Sequence, residues 1–267
     1  FSMLVIIRGA GDLATGVARR LHSCGFQIVM TETAQPTTVR CTVAFSRAVY
    51  QGSCEVEGVT ARLAADADEA CAVTARGEIA VMVDPAARFL EQLQPDAVID
   101  AILAKRNTGT CITDAPAVIG LGPGFEAGVD CHAVIETKRG HSLGSVIYEG
   151  RAIANTGVPG NIGGFTSERI LRASGDGIFK PVTEIGHLVR EGDIVAYVGE
   201  LPVRARIGGV VRGLLPDGTP VHTGMKSGDV DPRGIVEYCY TISDKARAIA
   251  GGALEAVLHL LKGRVRL

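Results

Sequence analysis

The chain has 267 residues, with 27 Lys or Arg against 29 Asp or Glu, so its net charge is −2. That balance offers no basic field to nucleic acid or an anionic membrane, and no apolar run approaches the ~18 residues of a membrane span. The length allows two domains of about 100–150 residues each. Seven cysteines, an odd number without a CxxC pair, argue against a zinc ribbon or a disulfide framework and for a reducing cytoplasm. Phe1-Ser2 before Met3 read as a tag remnant. No charged-then-apolar signal pattern opens the chain.

Leu4-Val5-Ile6-Ile7 predicts a strand, and Arg8-Gly9-Ala10-Gly11-Asp12-Leu13-Ala14-Thr15-Gly16 a glycine turn entering a helix that runs through Leu21. A second strand, Ile28-Val29-Met30, ends at Glu32, 21 residues beyond Gly11. Strand, glycine turn, helix, strand and acid is the order of a dinucleotide-binding βαβ unit. Gly9 allows the tight turn, Gly11 lets main chain approach a pyrophosphate, and Ala14 fills the third small position. The N–H groups and dipole of the helix start would face phosphates, with Thr15 beside them, and Glu32 would take ribose hydroxyls. Asp12 opposes an anion there unless it points away or caps the helix. The other reading is a turn that is glycine-rich for geometry alone.

Helical spacing over 61–75, a buried strand over 78–84, a helix over 86–93 behind Pro85 and a strand over 97–103 continue the alternation. Residues 3–115 thus predict a Rossmann-like domain, a doubly wound parallel sheet. Lys105, Arg106 and Asn107, with Thr108, follow the last strand, at the sheet edge where ligands of such folds sit. They suit an anionic ligand, or form a solvated basic turn. Cys111 follows this turn and reads as a buried, inert thiol.

From 116 helical periodicity gives way to short β-like runs, predicting a β-rich domain over 116–240. Val189-Arg190-Glu191-Gly192-Asp193-Ile194-Val195 and Leu215-Pro216-Asp217-Gly218-Thr219-Pro220-Val221 form a quasi-repeat. It resembles the barrel-sandwich fold of biotinyl and lipoyl carrier domains, over about 178–235. The hairpin between the copies, Gly199-Glu200-Leu201-Pro202, lacks the carrier lysine, and Met225-Lys226 falls out of register. Asp130, His132 and Glu136 share a strand face, Cys131 the other; Arg139 and His141 lie on the next hairpin. His132, His141 and Arg139 are the candidate catalytic residues, or structural ones. No metal site is expected. A last helix over 243–263, capped by Ser243, is expected to return to the first domain.

Several of these segments, in order, resemble one family. They are the turn over 8–16, Thr31-Glu32 with Pro36, the stretch over 100–109, Ile135-Glu136-Thr137 with Arg139-Gly140-His141, and Gly224-Met225-Lys226 with Gly228-Asp229-Val230-Asp231-Pro232-Arg233. Together they look like the selenium-dependent molybdenum hydroxylase maturation proteins, functional relatives of the xanthine dehydrogenase accessory factors. The resemblance implies an accessory role, a molybdopterin-type cofactor or other nucleotide, and a molybdenum hydroxylase client. The alternative from the residues is an NAD-dependent oxidoreductase, Glu32 favouring NAD over NADP; a third is an interaction module with an empty turn. A homo-oligomer is possible on any of these readings.

Overall fold

The computed structural model describes residues 3–264; the tag-remnant reading of Phe1-Ser2 lies outside the described residues. The chain divides into two compact units, one of residues 3–36, 44–156 and 242–264, the other of 37–43 and 157–241.

Unit 1 is built on β1 (Leu4–Arg8), α1 (Asp12–Ser23), β2 (Gln27–Glu32), α2 (Ala48–Gln51), β3 (Ser53–Val56), β4 (Val59–Ala64), α3 (Ala67–Ala75), β5 (Ile79–Val83), α4 (Leu90–Leu93), β6 (Ala97–Asp100), β7 (Ala117–Leu121), β8 (Ala133–Ile135), β9 (Val146–Ile147) and α5 (Asp244–Leu260). Its nine strands form one sheet in the order β3-β4-β5-β2-β1-β6-β7-β8-β9. Neighbours from β4 to β8 run parallel, and β3 and β9 close the edges antiparallel. The order reverses at β1, with β2 on one side and β6 on the other. Such a switch point opens a crevice at the carboxyl ends of the strands.

Strand alternation assigns the faces. Ile6, Val29, Met82, Val98 and Val118 pack with Ala70 and Val73 of α3 and against Leu90 and Leu93 of α4. Helices α1 and α5 pack together, and α5 also lies on β7 and β8. Close approach here depends on glycine: a Cβ on Gly16 would stand 2.8 Å from the Ala246 Cβ, and one on Gly252 only 2.0 Å from the Gly144 carbonyl oxygen. Ser243 caps α5 by accepting the Ala246 N–H at 3.2 Å.

The sheet corrects the expected fold in several places. It is mixed rather than parallel, and it runs on through β7, β8 and β9 instead of ending near 115. Helical periodicity disappears after 103 because the β6–β7 and β7–β8 connections are irregular loops. Phe125 and Ala127 from the second loop cover the sheet in place of a crossover helix. The helix expected over 61–75 begins only at Ala67, after a β3–β4 hairpin. Its two-residue turn, Glu57-Gly58, has φ of 46° and 78°, the pair of positive values a type I′ turn needs. The helix expected over 86–93 shrinks to α4 because Ala87 sits at φ 52°, and the strand expected over 97–103 stops at Asp100 before Leu103 at φ 59°.

Unit 2 holds β10 (Ile170–Arg172), β11 (Gly177–Pro181), β12 (Leu188–Val189), β13 (Ile194–Val198), β14 (Leu201–Arg204), β15 (Gly209–Leu214), β16 (Pro220–Val221) and β17 (Lys226–Asp231). The barrel-sandwich expectation is corrected to two four-stranded antiparallel sheets, β10-β17-β15-β12 and β14-β13-β11-β16. The quasi-repeat misleads because its copies build unequal strands. The first leads into β13, of five residues, and the second into β16, of two. Phe179, Val195, Val211, Leu214 and Val230 form the shared core, with Val39 against it. Among the described residues of the whole chain, no helix is long and apolar enough to cross a membrane.

Candidate functional site

The turn after β1 is shaped by its own chain. Gly9 has φ 95°, and a Cβ there would lie 3.0 Å from the Ala101 carbonyl oxygen. Gly9 is therefore needed because main chain passes over it, and its N–H donates to the Thr31 carbonyl at 2.8 Å. Gly11 is the N-cap of α1, and no side chain caps the helix. The main-chain N–H groups of Gly11 and Leu13 reach no acceptor among the described residues. Asp12 opens the helix as a first-turn acid, a position the helix dipole favours.

Glu32 stands at the end of β2 with its carboxylate folded onto this turn. Oε2 accepts the Ala10 N–H at 3.0 Å and Oε1 the Thr33 N–H at 2.8 Å. Each carboxylate oxygen can accept a further bond, so the group is both fixed and able to receive hydroxyls. Ala14 and Thr15 are buried. The Thr15 hydroxyl accepts the Phe45 N–H at 2.8 Å and donates to the Ala10 carbonyl at 3.4 Å, so it braces the turn from within.

A polar layer that the motif reading missed lies beneath the turn. Arg8 and Asp100 are register partners on β1 and β6, and they share the face of Ile6 and Val98. Both are buried, 3.7 Å apart at Nη1–Oδ2. Thr110 donates to Asp100 at 2.6 Å and accepts from Arg8, which also reaches the Pro85 and Thr108 carbonyls. Asp84, fully buried after β5, accepts the Phe89 N–H at 3.1 Å. Arg8 borders a cavity of about 1160 Å³, lined also by Arg88, Leu90, Asp96 and Asp114. One signal was visible: Ile7-Arg8, Val83-Asp84 and Ile99-Asp100 each end an apolar run with a charge.

The remaining candidates are scattered. Lys105 and Arg106 are exposed, and no hydrogen bond or ion pair of theirs reaches the turn. Asn107 organises its own loop, accepting the Gly109 and Thr110 N–H groups at 2.9 and 2.8 Å. His132 accepts the Val118 N–H at Nδ1 (3.0 Å), at the amino end of β8. His141 is exposed in the loop after β8, and no bond joins it to His132. Arg139 grips Asp244 through two bonds of 2.7 and 2.9 Å at the start of α5. Glu136 accepts the Lys138 and Ile153 N–H groups at 2.7 and 2.8 Å. Arg139 and Glu136 thus make bonds that tie neighbouring segments together, and no bond among the described residues joins the two histidines. Among the described residues, no three His, Cys, Asp or Glu side chains are placed to hold a metal.

The cysteines divide by exposure. Cys111 is exposed, against the buried thiol expected, because it lies in the irregular β6–β7 connection and not in a packed element. Burial pushes the Cys131 thiol up to about 11, and raises those of Cys54 and Cys239. Since the thiolate is the nucleophile, iodoacetamide at pH 7.5 is expected to modify Cys24, Cys71 and Cys111 in the native protein. Peptide mapping should find Cys54, Cys131 and Cys239 unmodified until the chain is denatured; early alkylation of Cys131 would contradict its burial.

No family model matches the chain. Over 263 residues it is 56% identical to a protein of Escherichia coli (strain K12) described as uncharacterized protein YqeB, covering 98% of this chain and 49% of that one. The chain therefore spans about half the length of the curated relative it matches. Similar solved structures include the product-bound ectoine utilization protein EutE (DoeB) from Ruegeria pomeroyi, at 14% identity and TM-score 0.26, covering 86% of this chain and 85% of that one. An aspartoacylase family protein from Mesorhizobium loti shows 13% identity and TM-score 0.27, covering 86% and 84%. A succinylglutamate desuccinylase/aspartoacylase from Rhodobacter sphaeroides shows 13% and 0.25, covering 85% and 86%. These findings correct the resemblance drawn from the sequence. No family model stands behind it, and the relative that the chain matches is described as uncharacterized. The maturation role, its hydroxylase client and the alternative of an NAD-dependent oxidoreductase are withdrawn with it.

Proposed function

We propose that unit 1 binds a nucleotide at the carboxyl edge of its sheet, with phosphate at the start of α1 and ribose hydroxyls on Glu32. One observation carries this reading: the Glu32 carboxylate is held by the Ala10 and Thr33 N–H groups beside an uncapped helix start, at the point where the strand order reverses. A helix start supplies N–H groups and a positive dipole end to phosphate, and a fixed carboxylate supplies acceptors to a sugar. Seven free thiols, three of them exposed, are in keeping with a reducing cytoplasm.

Titration calorimetry with ADP, NAD and GTP tests the reading. At least one is expected to bind, and Glu32→Ala to weaken it about 10-fold or more, the loss of hydrogen bonds to a charged group. Inorganic pyrophosphate, which has no sugar, should bind the variant as well as or better than the parent, since a carboxylate beside the phosphate site is gone. Absence of binding by all three nucleotides would overturn the proposal.

A further inference from the structure

β6 and β7 are parallel neighbours joined by an irregular stretch over 101–116, so no crossover helix covers the sheet beside α4. The cavity of about 1160 Å³ that Arg8 borders lies there. It is on the face of Ile6, Val29 and Val98, and strand alternation puts Glu32 on the other.

The charged lining of this cavity is sorted along the strands. Arg8 ends β1, and Arg88 lies beyond the carboxyl end of β5, its Nε 3.7 Å from Asp84. Asp96 and Asp114 come just before the amino ends of β6 and β7, where they accept the Leu4 and Cys111 N–H groups at 3.0 and 2.9 Å. Since β1, β6 and β7 run parallel, cations mark one end of the cavity and carboxylates the other. From Leu4 to Arg8 the separation is about 13 Å, at about 3.3 Å per residue. Exposed Glu91 and Arg264, one of each sign, complete the charged lining.

Arg8 has donors in reserve. It is 2% exposed, yet its Nε has no hydrogen-bond partner. Its Nη2 bonds to the Pro85 and Thr108 carbonyls are long, at 3.4 and 3.5 Å, against about 2.7–3.2 Å ordinarily. Asp100 balances its charge from the Nη1 side, which leaves the other edge of the fork under-used. Such an edge matches a planar carboxylate.

We propose that this cavity binds short, extended peptides with free termini, the carboxylate at Arg8 and Arg88 and the amino group at Asp96 and Asp114. Four extended residues span about 13 Å, the separation of the two ends, and Ala86, Ala87 and Leu90 offer apolar wall between them. Capture of a terminal carboxylate or amine is a recurring mode of peptide recognition. Phosphate suits the site less, because three of its six lining charges are carboxylates. The site lies on the face opposite Glu32 and does not depend on the nucleotide reading.

The test titrates the full chain with tetra-alanine, its N-acetyl form, its C-terminal amide and inorganic phosphate. Tetra-alanine is expected to bind, and blocking either terminus to weaken it about 10-fold or more, the loss of hydrogen bonds to a charged group. Its binding should shift the amide resonances of Gly109 and Ala115 and leave that of Gly11 in place. Arg8→Lys keeps a charge beside Asp100 and loses the fork, so it should weaken tetra-alanine and not the amide. Should that variant not fold, two milder ones decide. Arg88→Gln should weaken tetra-alanine by about 1.5- to 5-fold and spare the amide. Asp114→Asn keeps an acceptor for Cys111 and should weaken tetra-alanine to the same extent while sparing the acetylated peptide. Equal binding of all three peptides would overturn the end-to-end charge assignment. Failure of tetra-alanine to bind, or displacement of it by phosphate at equal concentration, would overturn the peptide site, and ADP binding would be unaffected by either result.

Discussion

Asp229→Ala is expected to cost unit 2 about 3–5 kcal/mol, the penalty of breaking a buried ion pair from one side. Asp229 is 1% exposed on β17. It receives Arg169 on Oδ1, and Arg212 on Oδ2 through both Nη2 and Nε, the latter at 2.9 Å. Arg212 also donates to Asp231 at 3.1 Å, which Arg233 grips at 2.9 and 2.6 Å while lying 4.6 Å above the Tyr238 ring. Alanine at 229 would leave two buried guanidinium groups without their shared counter-ion. Asp229→Asn keeps the shape and loses the charge, so a smaller loss is expected. Burial alone would raise the Asp231 carboxyl, but the Arg233 bonds and the charges of Arg212 and Arg233 outweigh it, leaving it below its ordinary 3.8. A carboxyl depressed in the folded state stabilises above its ordinary value, and that contribution is lost as pH falls through the folded value. Unit 2 should therefore lose stability as pH falls below about 4. Hydrogen exchange of the β10 and β17 peptides should show both effects, and unchanged protection in Asp229→Ala would refute the counter-ion role.

Which features were legible in the sequence depends on how far apart their causes lie along the chain. The turn of Gly9 to Gly11, the following helix and Glu32 sit within one βαβ unit, and their spacing alone placed the acid against the turn. What spacing could not show is that Glu32 reaches the Ala10 N–H, or that the Ala101 carbonyl passes over Gly9. The run of β7 to β9 was lost to the first domain because its cover is not local. α5 returns from beyond residue 240 to lie on β7 and β8. The hairpin of β3 and β4 was hidden because Ala61, Ala64 and Ala65 fit a helical spacing as well as a strand. Arg139 and Glu136 looked chemical by type, yet their partners, Asp244 and the Ile153 N–H, are set by tertiary contacts that no spacing announces.

Asp100→Ala is expected to destabilise unit 1 by about 3–5 kcal/mol, lowering Tm by about 6–20 °C, and to loosen the loop over the glycine turn. Its Oδ2 accepts from Thr110 and faces Arg8, while Oδ1 accepts the Ile102 N–H at 3.1 Å. These bonds hold the segment from Ala101 to Thr110, where Leu103 and Lys105 sit at φ 59° and 63°. Left-handed conformations of such residues cost about 1–3 kcal/mol each and persist only where surrounding contacts impose them. With the carboxylate gone, Arg8 loses its counter-ion and Ile102 its acceptor, so the strained loop should relax. Hydrogen exchange across 101–110 should then rise, and nucleotide affinity should fall with it, since this segment covers Gly9. Arg8→Met alone should also destabilise, by stranding Asp100. Arg8→Met with Asp100→Leu should cost less than the sum of the single changes, because each single change leaves a buried charge that the double removes. Strict additivity in that cycle would show that the two side chains do not act as a pair, and that something else holds the loop in place.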